Sequence, residues 1–116
     1  MTDCAVCIVS WNCKEPLRKC LEALPAAAGG LDYEVIVVDN NSDDGSPAAV
    51  AEAFPSVRLI ENRRNRGFAA ACNQAAAASS STYVLFLNPD TEPRPGSLKR
   101  MIGFLKDRPA AAGGGP

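Results

Sequence analysis

Two short apolar runs in this chain each end in a polar, acid-bearing turn. Residues 35–38 (VIVV) lead into 39–42 (DNNS), and residues 84–87 (VLFL) lead into 88–90 (NPD). Runs this short that are apolar at consecutive positions are typical of strands buried on both faces of a parallel sheet. Ligands of such a sheet bind beyond the carboxyl ends of its strands. Both turns are therefore predicted to border one ligand site.

The pattern along the rest of the chain predicts alternating strands and helices. Strands are predicted at 5–10, 34–38, 57–61 and 83–87. Helices are predicted at 16–24, 46–54, 67–78 and 98–105, with Pro25 and Gly29-Gly30 ending the first. Short connections between them imply right-handed crossovers and an α/β fold, a three-layer α/β/α sandwich with a mainly parallel, Rossmann-like sheet. The 116 residues suffice for one hydrophobic core, and the alanine and glycine run at 110–115 indicates compositional bias.

Composition excludes several classes of function. The net charge of −1 creates no overall field that would attract nucleic acid. No apolar run approaches the ~20 residues of a membrane span. The chain has no histidine, which excludes histidine-based triads and ordinary zinc sites. Its five cysteines lack the spacing of a disulfide framework and indicate a reducing compartment, the cytoplasm.

Cys4 and Cys7 form a C-x-x-C pattern inside the first predicted strand. Positions three apart in a strand point to opposite faces, so neither a chelate nor a dithiol turn is expected there. We interpret both as small buried hydrophobic residues.

The charged residues are distributed unevenly. Acidic residues are predicted to cluster around one strand end, and arginines around another. The acidic set is Asp32, Glu34, Asp39, Asp43 and Asp44, and the basic set is Arg58, Arg63, Arg64 and Arg66. This pattern suits a ligand that carries phosphates and a divalent cation, although solvated loops produce the same pattern.

Asp39 follows a buried strand directly, where its carboxylate could accept hydrogen bonds from a nucleobase N–H or a ribose hydroxyl. The alternative is a turn that caps the next helix, a role that Asp43 or Asp44 could fill alone. We therefore favour a ligand contact for Asp39.

Asp90 is placed to bind a hard cation such as Mg²⁺ or Mn²⁺, which would stabilise a departing diphosphate. Taken alone, residues 88–91 (NPDT) equally form a turn without a ligand. Residues 65–69 (NRGFA) open the third predicted helix, where backbone N–H groups attract anions. Gly67 and, six residues later, Asn73 are candidates there, and a turn glycine with a plain helix residue explains them equally well.

Together these segments resemble family 2 glycosyltransferases of the GT-A fold, in particular the rhamnosyltransferase-like branch. The matching segments are 8–12, 17–24, 35–42, 65–73 and 85–90, within a stretch from Val6 to about Gly114. The resemblance implies a nucleotide-diphospho-sugar transferase of polysaccharide biosynthesis, with Mg²⁺ or Mn²⁺ as cofactor.

The same resemblance implies roles for individual residues. Ser10, Trp11 and Asn12 would line the nucleoside pocket, and Asp39 would hold the base. Asn88 and Asp90 stand where the family has its D-x-D motif, whose last acid binds the metal. Asn88 replaces the first acid of that motif and brings no charge. The predicted donor-binding set is Ser10, Trp11, Asn12, Asp39, Asn41, Arg66, Gly67, Asn73 and Asn88, with Asp90 at the metal.

The resemblance further implies an inverting transfer of sugar from a UDP- or dTDP-linked donor to the hydroxyl of a saccharide or lipid-linked acceptor. In the family, the catalytic base and the acceptor pocket lie well beyond the D-x-D segment. Residues 1–116 are thus expected to form the N-terminal, donor-binding part of a longer enzyme, with no catalytic base and no activity alone. An open sheet edge would favour homo-oligomers. The expected location is the cytoplasm or the cytoplasmic face of the membrane.

The sequence pattern also suggests other functions. The chain could be a non-catalytic, nucleotide-binding or self-associating fragment. A sugar-phosphate nucleotidyltransferase is disfavoured because residues 10–13 (SWNC) are not the glycine-rich, basic loop which that class needs. A dinucleotide-binding domain is disfavoured because no G-x-G-x-x-G follows the first strand.

Overall fold

Four strands and four helices alternate along the chain in the computed structural model, which describes residues 2–107. The elements are β1 Cys4–Ser10, α1 Lys14–Ala28, β2 Tyr33–Asp39, α2 Ser46–Ala53, β3 Arg58–Glu61, α3 Phe68–Ala78, β4 Tyr83–Phe86 and α4 Ser97–Asp107. All eight predicted elements are present, within a few residues of the predicted bounds. The run at 110–115 lies outside the described residues.

The strands form one sheet in the order β3-β2-β1-β4, and every neighbouring pair is parallel. Ser10 pairs with Asp39, and Asp39 pairs with Glu61, so β1, β2 and β3 end at the same level. The N–H of Leu87, just past β4, donates to the carbonyl of Cys7 at 2.9 Å. The turns after β2 and β4 therefore lie along one edge of the sheet, and the predicted α/β fold is confirmed.

Both faces of the central strands are buried. One face packs against α1, α2 and α4 through residues that include Val6, Ile8, Leu17, Leu24, Val50 and Ile102. The other packs against α3, where Ala71 and Ala75 lie on Ile36 and Val38. Each fully buried branched side chain contributes about 1.5–3 kcal/mol. Helices on both faces give the sandwich its three layers.

Cys4 and Cys7 lie on opposite faces of β1, as predicted, because side chains alternate along a strand. Burial raises the pKa of each thiol to about 11. Both thiols are protonated at neutral pH and act as small core residues.

The prediction that Pro25 and Gly29-Gly30 end the first helix is right for the glycines and wrong for Pro25. Helix α1 continues past Pro25 to Ala28 and ends at Gly29, whose φ of 55° is left-handed. A proline inside a helix cannot donate to the carbonyl four residues earlier. The last turn is nevertheless helical, with Ala27 and Ala28 buried and Pro25 exposed.

The predicted clustering of charges around single strand ends is also wrong in part. Glu34 lies near the amino end of β2, about 17 Å from Asp39 at 3.3 Å per residue, and Asp32 precedes that strand. There the Glu34 carboxylate accepts hydrogen bonds from the hydroxyls of Thr2 at 3.1 Å and Ser81 at 2.5 Å. Arg58 likewise lies at the start of β3, away from the other arginines. The seven residues of β2 separate the acids into two groups.

Candidate functional site

A cleft of about 620 Å³ opens at the carboxyl ends of β1 and β4, beside the first turns of α3. This volume lies in the range of small-molecule sites in proteins. Its polar lining consists of Asn40, Asn65, Asn88 and Asp90. The cleft occupies the edge of the sheet at which ligands of parallel α/β folds bind.

Three large aromatic side chains line the cleft and remain accessible. Trp11 is 56% exposed, Phe68 is 68% exposed and Phe86 is 48% exposed. Aromatic faces of this kind stack on planar rings, and base–aromatic stacking stabilises complexes by about 1–3 kcal/mol per base. The cleft therefore offers stacking surfaces next to amide and carboxylate groups.

Asp90 lies on the exposed rim of the cleft, in a turn that Asn88 organises. The backbone N–H of Asp90 donates to the side-chain oxygen of Asn88 at 3.2 Å. The carbonyl of Asn88 accepts the N–H of Thr91 at 3.1 Å and its hydroxyl at 2.7 Å. These bonds use the backbone of Asp90, and across residues 2–107 no hydrogen bond or ion pair engages its carboxylate. The hydrogen bonds of the turn thus leave the carboxylate of Asp90 available to bind a ligand.

Asp39 is 2% exposed and closes the turn after β2. Its Oδ2 accepts the N–H of Ser42 at 2.8 Å, and its Oδ1 accepts the hydroxyl of Ser42 at 2.6 Å. The side chain does not line the cleft. Asn41, in the same turn, is exposed and has a left-handed φ of 68°. A carboxylate has about four acceptor positions, so these two bonds do not saturate Asp39.

The turn after β1 is bound to the turn after β2. The N–H of Asn12 donates to the hydroxyl of Ser42 at 2.9 Å, and its side-chain oxygen accepts the N–H of Asp43 at 2.8 Å. Ser10 is fully buried, and its hydroxyl lies 3.2 Å from the thiol of Cys13. These contacts fix the turn that presents Trp11 to the cleft.

Gly67 forms the wall of the cleft next to α3. Its φ of 84° and ψ of 169° lie in a region that is essentially restricted to glycine. Its N–H donates to the side-chain oxygen of Asn65 at 2.8 Å. The side chains of Arg66 and Asn73 are exposed and lie outside the cleft lining.

The structure thus brings four of the ten predicted site residues to the cleft: Trp11, Gly67, Asn88 and Asp90. The other six, around or behind it, are Ser10, Asn12, Asp39, Asn41, Arg66 and Asn73. The predicted site residues did not include Asn40, Asn65, Phe68 and Phe86, which line the cleft. All four lie within the segments that carry the family resemblance, which was a usable signal. The exposure of Phe86 depends on where α3 ends over the sheet, and no local pattern gives that.

Three thiols line the cleft: Cys7, Cys13 and Cys72. Desolvation raises the pKa of Cys7 to about 11 and shifts the pKa of Cys72 upward as well. Only the thiolate is a nucleophile or a metal ligand, so the raised pKa disfavours both roles for Cys7 and Cys72.

The available donors fit a metal ion that arrives with an anionic ligand. In residues 2–107, no three His, Cys, Asp or Glu side chains converge in a manner that could hold an ion. Mg²⁺ is commonly held by one or two carboxylates together with substrate phosphates and water. A single exposed carboxylate at Asp90 suits that mode of binding.

Among the helices described, none combines the length and the apolar character that crossing a bilayer would require.

Comparisons with known proteins give a consistent result. The family model described as "Glycosyl transferase family 2" matches residues 5–116. The chain is 36% identical over 112 residues to the succinoglycan biosynthesis protein ExoO of Rhizobium meliloti, covering 96% of this chain and 31% of that protein. It is 30% identical over 128 residues to an N-acetylglucosaminyl-diphospho-decaprenol L-rhamnosyltransferase of Mycobacterium tuberculosis, covering 100% of this chain and 41% of that protein. The chain thus spans roughly a third of the length of these relatives.

Solved structures show the same likeness. The mannosyltransferase PcManGT from Pyrobaculum calidifontis, in complex with GDP-Man and Mn²⁺, matches 92% of this chain and 33% of its own, with a TM-score of 0.81 and 27% identity. S. aureus TarS 1-349 in complex with UDP matches 90% of this chain and 32% of its own, with a TM-score of 0.79 and 22% identity. The second likeness concerns the fold alone.

Proposed function

The chain belongs to glycosyl transferase family 2 and has the GT-A fold of such enzymes, and on that premise we propose that its cleft binds a nucleotide-sugar donor. The observation that carries this proposal is the free carboxylate of Asp90 on the rim of a cleft lined by three exposed aromatic side chains. A nucleoside diphosphate has the complementary parts: a planar base, a ribose and a metal-binding diphosphate.

In the proposed complex, the base and ribose lie near the ends of β1 and β2. Trp11 supplies a stacking surface, held by the hydrogen bonds of Asn12 to the turn after β2. Asp39 accepts a further hydrogen bond from the base, and Asn41 offers its amide to the ribose. Ser10 supports this region from within the core.

The diphosphate lies toward the end of β4 and the start of α3. Asp90 would hold Mg²⁺ or Mn²⁺, both of which take oxygen ligands. When bound, the ion supplies Lewis-acid neutralisation of the leaving diphosphate. Asn88 contributes an uncharged amide beside it. Gly67, which has no side chain, lets the anion approach the backbone closely, and Arg66 provides a positive charge near it. Asn73 is assigned to the donor site only by the family resemblance.

The activity proposed for the whole protein is transfer of a sugar from a UDP- or dTDP-linked donor to an acceptor hydroxyl, with inversion at the anomeric carbon. The acceptor is a saccharide or a lipid-linked saccharide. We assign the general base to no residue of this chain and expect donor binding without transfer from residues 1–116 alone. The five free thiols fit a reducing compartment, so we place the protein in the cytoplasm or at its membrane face.

Titration calorimetry of the chain with UDP, dTDP and GDP, each with Mn²⁺ and with EDTA, tests this proposal. We expect UDP or dTDP to bind more tightly with Mn²⁺. The change Asp90→Asn should weaken Mn²⁺-dependent binding at least tenfold, about 1.4 kcal/mol, and leave binding in EDTA unchanged, because the amide carries no charge for the cation.

Glu92→Gln is the matched control, since Glu92 is an exposed carboxylate two positions away that does not line the cleft. It should bind as the wild type does. Equal Mn²⁺-dependent affinity in Asp90→Asn and wild type would remove Asp90 from the metal site. No nucleotide binding under any condition would contradict the donor site itself.

A further inference from the structure

Three side-chain amides form a connected chain that starts at the lining of the cleft with Asn40 and continues behind its wall. Asn40 follows β2, Asn62 follows β3, and Gln74 lies on α3. Asn62 and Gln74 form a reciprocal pair, because each side-chain NH₂ donates to the other's oxygen at 2.8 Å. The NH₂ of Asn62 also donates to the oxygen of Asn40 at 3.0 Å.

The Asn40 end of this chain holds the backbone of the cleft wall. Its NH₂ donates to the carbonyl of Gly67 at 3.2 Å, and its oxygen accepts the N–H of Arg66 at 3.3 Å. One buried amide, 2% exposed, thus binds two successive backbone groups of the wall.

The backbone of the wall fixes which way the Asn40 amide points. The carbonyl of Gly67 can only accept and the N–H of Arg66 can only donate, so the NH₂ of Asn40 faces Gly67 and its oxygen faces Arg66. That oxygen also accepts the NH₂ of Asn62, and the orientation of Asn62 sets that of Gln74. In a buried network of this kind each bond depends on the next, because an unpaired buried amide is costly.

Packing does little to hold the wall in place. Residues 63–70 are all exposed, and Gly67 has a backbone conformation with no side chain to anchor it. Little apolar surface is therefore buried here. Among the interactions in residues 2–107, the hydrogen bonds of Asn40 are the main ones that hold the wall in place. The position of the wall sets where Asn65 and Phe68 face the cleft.

We propose that Asn40, Asn62 and Gln74 are positioning residues for the donor site. Their hydrogen bonds connect α3 to the wall, residues 65–67. They thereby hold the wall in the conformation that binds the nucleotide. This inference rests on the proposed function of the cleft. Gln74 does not line the cleft, so any effect of changing it on nucleotide affinity must pass through the other amides.

Two variants test the two ends of the network. Asn40→Ala removes both bonds to the wall, and Gln74→Glu retains the size of the side chain but replaces its donor with an oxygen that faces the oxygen of Asn62. Ala77→Glu, on the exposed side of α3, adds the same charge outside the network. Val50→Ala lowers stability through a cavity in the core, away from the cleft.

The readouts are the affinity for UDP with Mn²⁺, measured where circular dichroism shows each variant fully folded, and the exchange rate of the Arg66 amide by NMR. We expect Asn40→Ala to weaken UDP binding about tenfold and Gln74→Glu a few-fold, as expected for the loss of buried hydrogen bonds. Both should accelerate exchange at Arg66. Val50→Ala and Ala77→Glu should bind UDP as the wild type does.

Wild-type affinity in both Asn40→Ala and Gln74→Glu would overturn the positioning role while leaving the donor site intact. If the wild type itself binds no nucleotide, the proposed function fails and the inference fails with it. An affinity loss in Val50→Ala as large as that in Asn40→Ala would show that the overall stability of the fold, and not the amide network, controls nucleotide binding.

Discussion

Asp39 illustrates how one carboxylate at the end of a strand can serve the fold and a ligand. Both of its oxygens are bonded to Ser42, so it holds the turn after β2 in shape. Its burial at 2% exposure keeps it from the cleft in the free protein. Acceptor positions remain on each oxygen, and a base that approached from the β1 side could use them.

The change Asp39→Asn should separate these two roles. It leaves one oxygen as an acceptor but places an NH₂ where the carboxylate accepted a hydrogen bond. We expect UDP binding in EDTA to weaken about tenfold, in line with the loss of a hydrogen bond to a charged group of about 1.5–3 kcal/mol. Isothermal titration calorimetry measures this change without any metal contribution.

Ser42→Ala is the control, since it leaves the carboxylate in place but removes the bonds of the Ser42 hydroxyl to Asp39 and to the N–H of Asn12. If Asp39 only braces the turn, Asp39→Asn should weaken binding no more than Ser42→Ala does. Greater weakening in Asp39→Asn supports contact with the nucleotide.

The starts of two helices share a single acidic residue. Asp44 accepts the N–H of Lys14 at the start of α1 at 3.0 Å, and the N–H and hydroxyl of Ser46 at the start of α2 at 3.0 and 2.6 Å. The first N–H groups of a helix lack partners within it, and negative charge is favourable there. The turn after β2 is thereby joined to α1 as well as to α2.

The ionised carboxylate of Asp44 makes the stability of the wild type depend on pH, and Asp44→Asn should remove that dependence. The hydroxyl of Ser46, above all, lowers the pKa of Asp44 below its ordinary 3.8. A lowered pKa in the folded state gives stability that is present above the unfolded pKa and lost as the pH falls through the folded one. We expect Asp44→Asn to cost about 1 kcal/mol at neutral pH, the usual effect of a helix cap.

Urea denaturation across a pH series measures this difference between wild type and Asp44→Asn. The difference should shrink as the pH falls below 3.8, the ordinary value for the group. Asp43→Asn, whose carboxylate is exposed, should show a smaller effect. A gap that stays constant into the acid range would contradict the charged cap.

For the molecule as a whole, β4 is one of the two edge strands of the described sheet, the other being β3. In residues 2–107 it pairs only with β1, and Val84 and Phe86 on its α3 side are 40% and 48% exposed. An edge strand with unpaired backbone groups and apolar side chains is a template for pairing with another chain. The isolated chain is therefore expected to self-associate through this edge.

Sedimentation velocity over a range of concentrations tests this expectation. The wild type should exceed the 12.2 kDa mass of the monomer as concentration rises. Val84→Lys should return it toward the monomer, because a lysine on an edge strand opposes strand pairing. Ala77→Lys, on the exposed side of α3, should not change association. A wild type that stays monomeric throughout would contradict the role of the edge.

Local patterns were sufficient for much of this molecule. Strand alternation placed Cys4 and Cys7 on opposite faces, and apolar periodicity located all eight elements. These properties depend on residues a few positions apart, which is why they can be predicted from order along the chain. The ordered motifs also gave the family, which the family model confirms over residues 5–116.

Contacts between distant residues were not accessible in this way. Asn40 meets Asn62 across 22 positions and Gly67 across 27, and its role as a tether appears only when three elements meet. Helix α1 continues past Pro25, with Ala27 and Ala28 buried in the core, and the strand direction of β2 separates Glu34 from Asp39. Hydrogen bonds and burial of this kind depend on which surfaces face each other, so only the tertiary structure determines them. The helices and strands themselves depend on the order of nearby residues, so the sequence determines them.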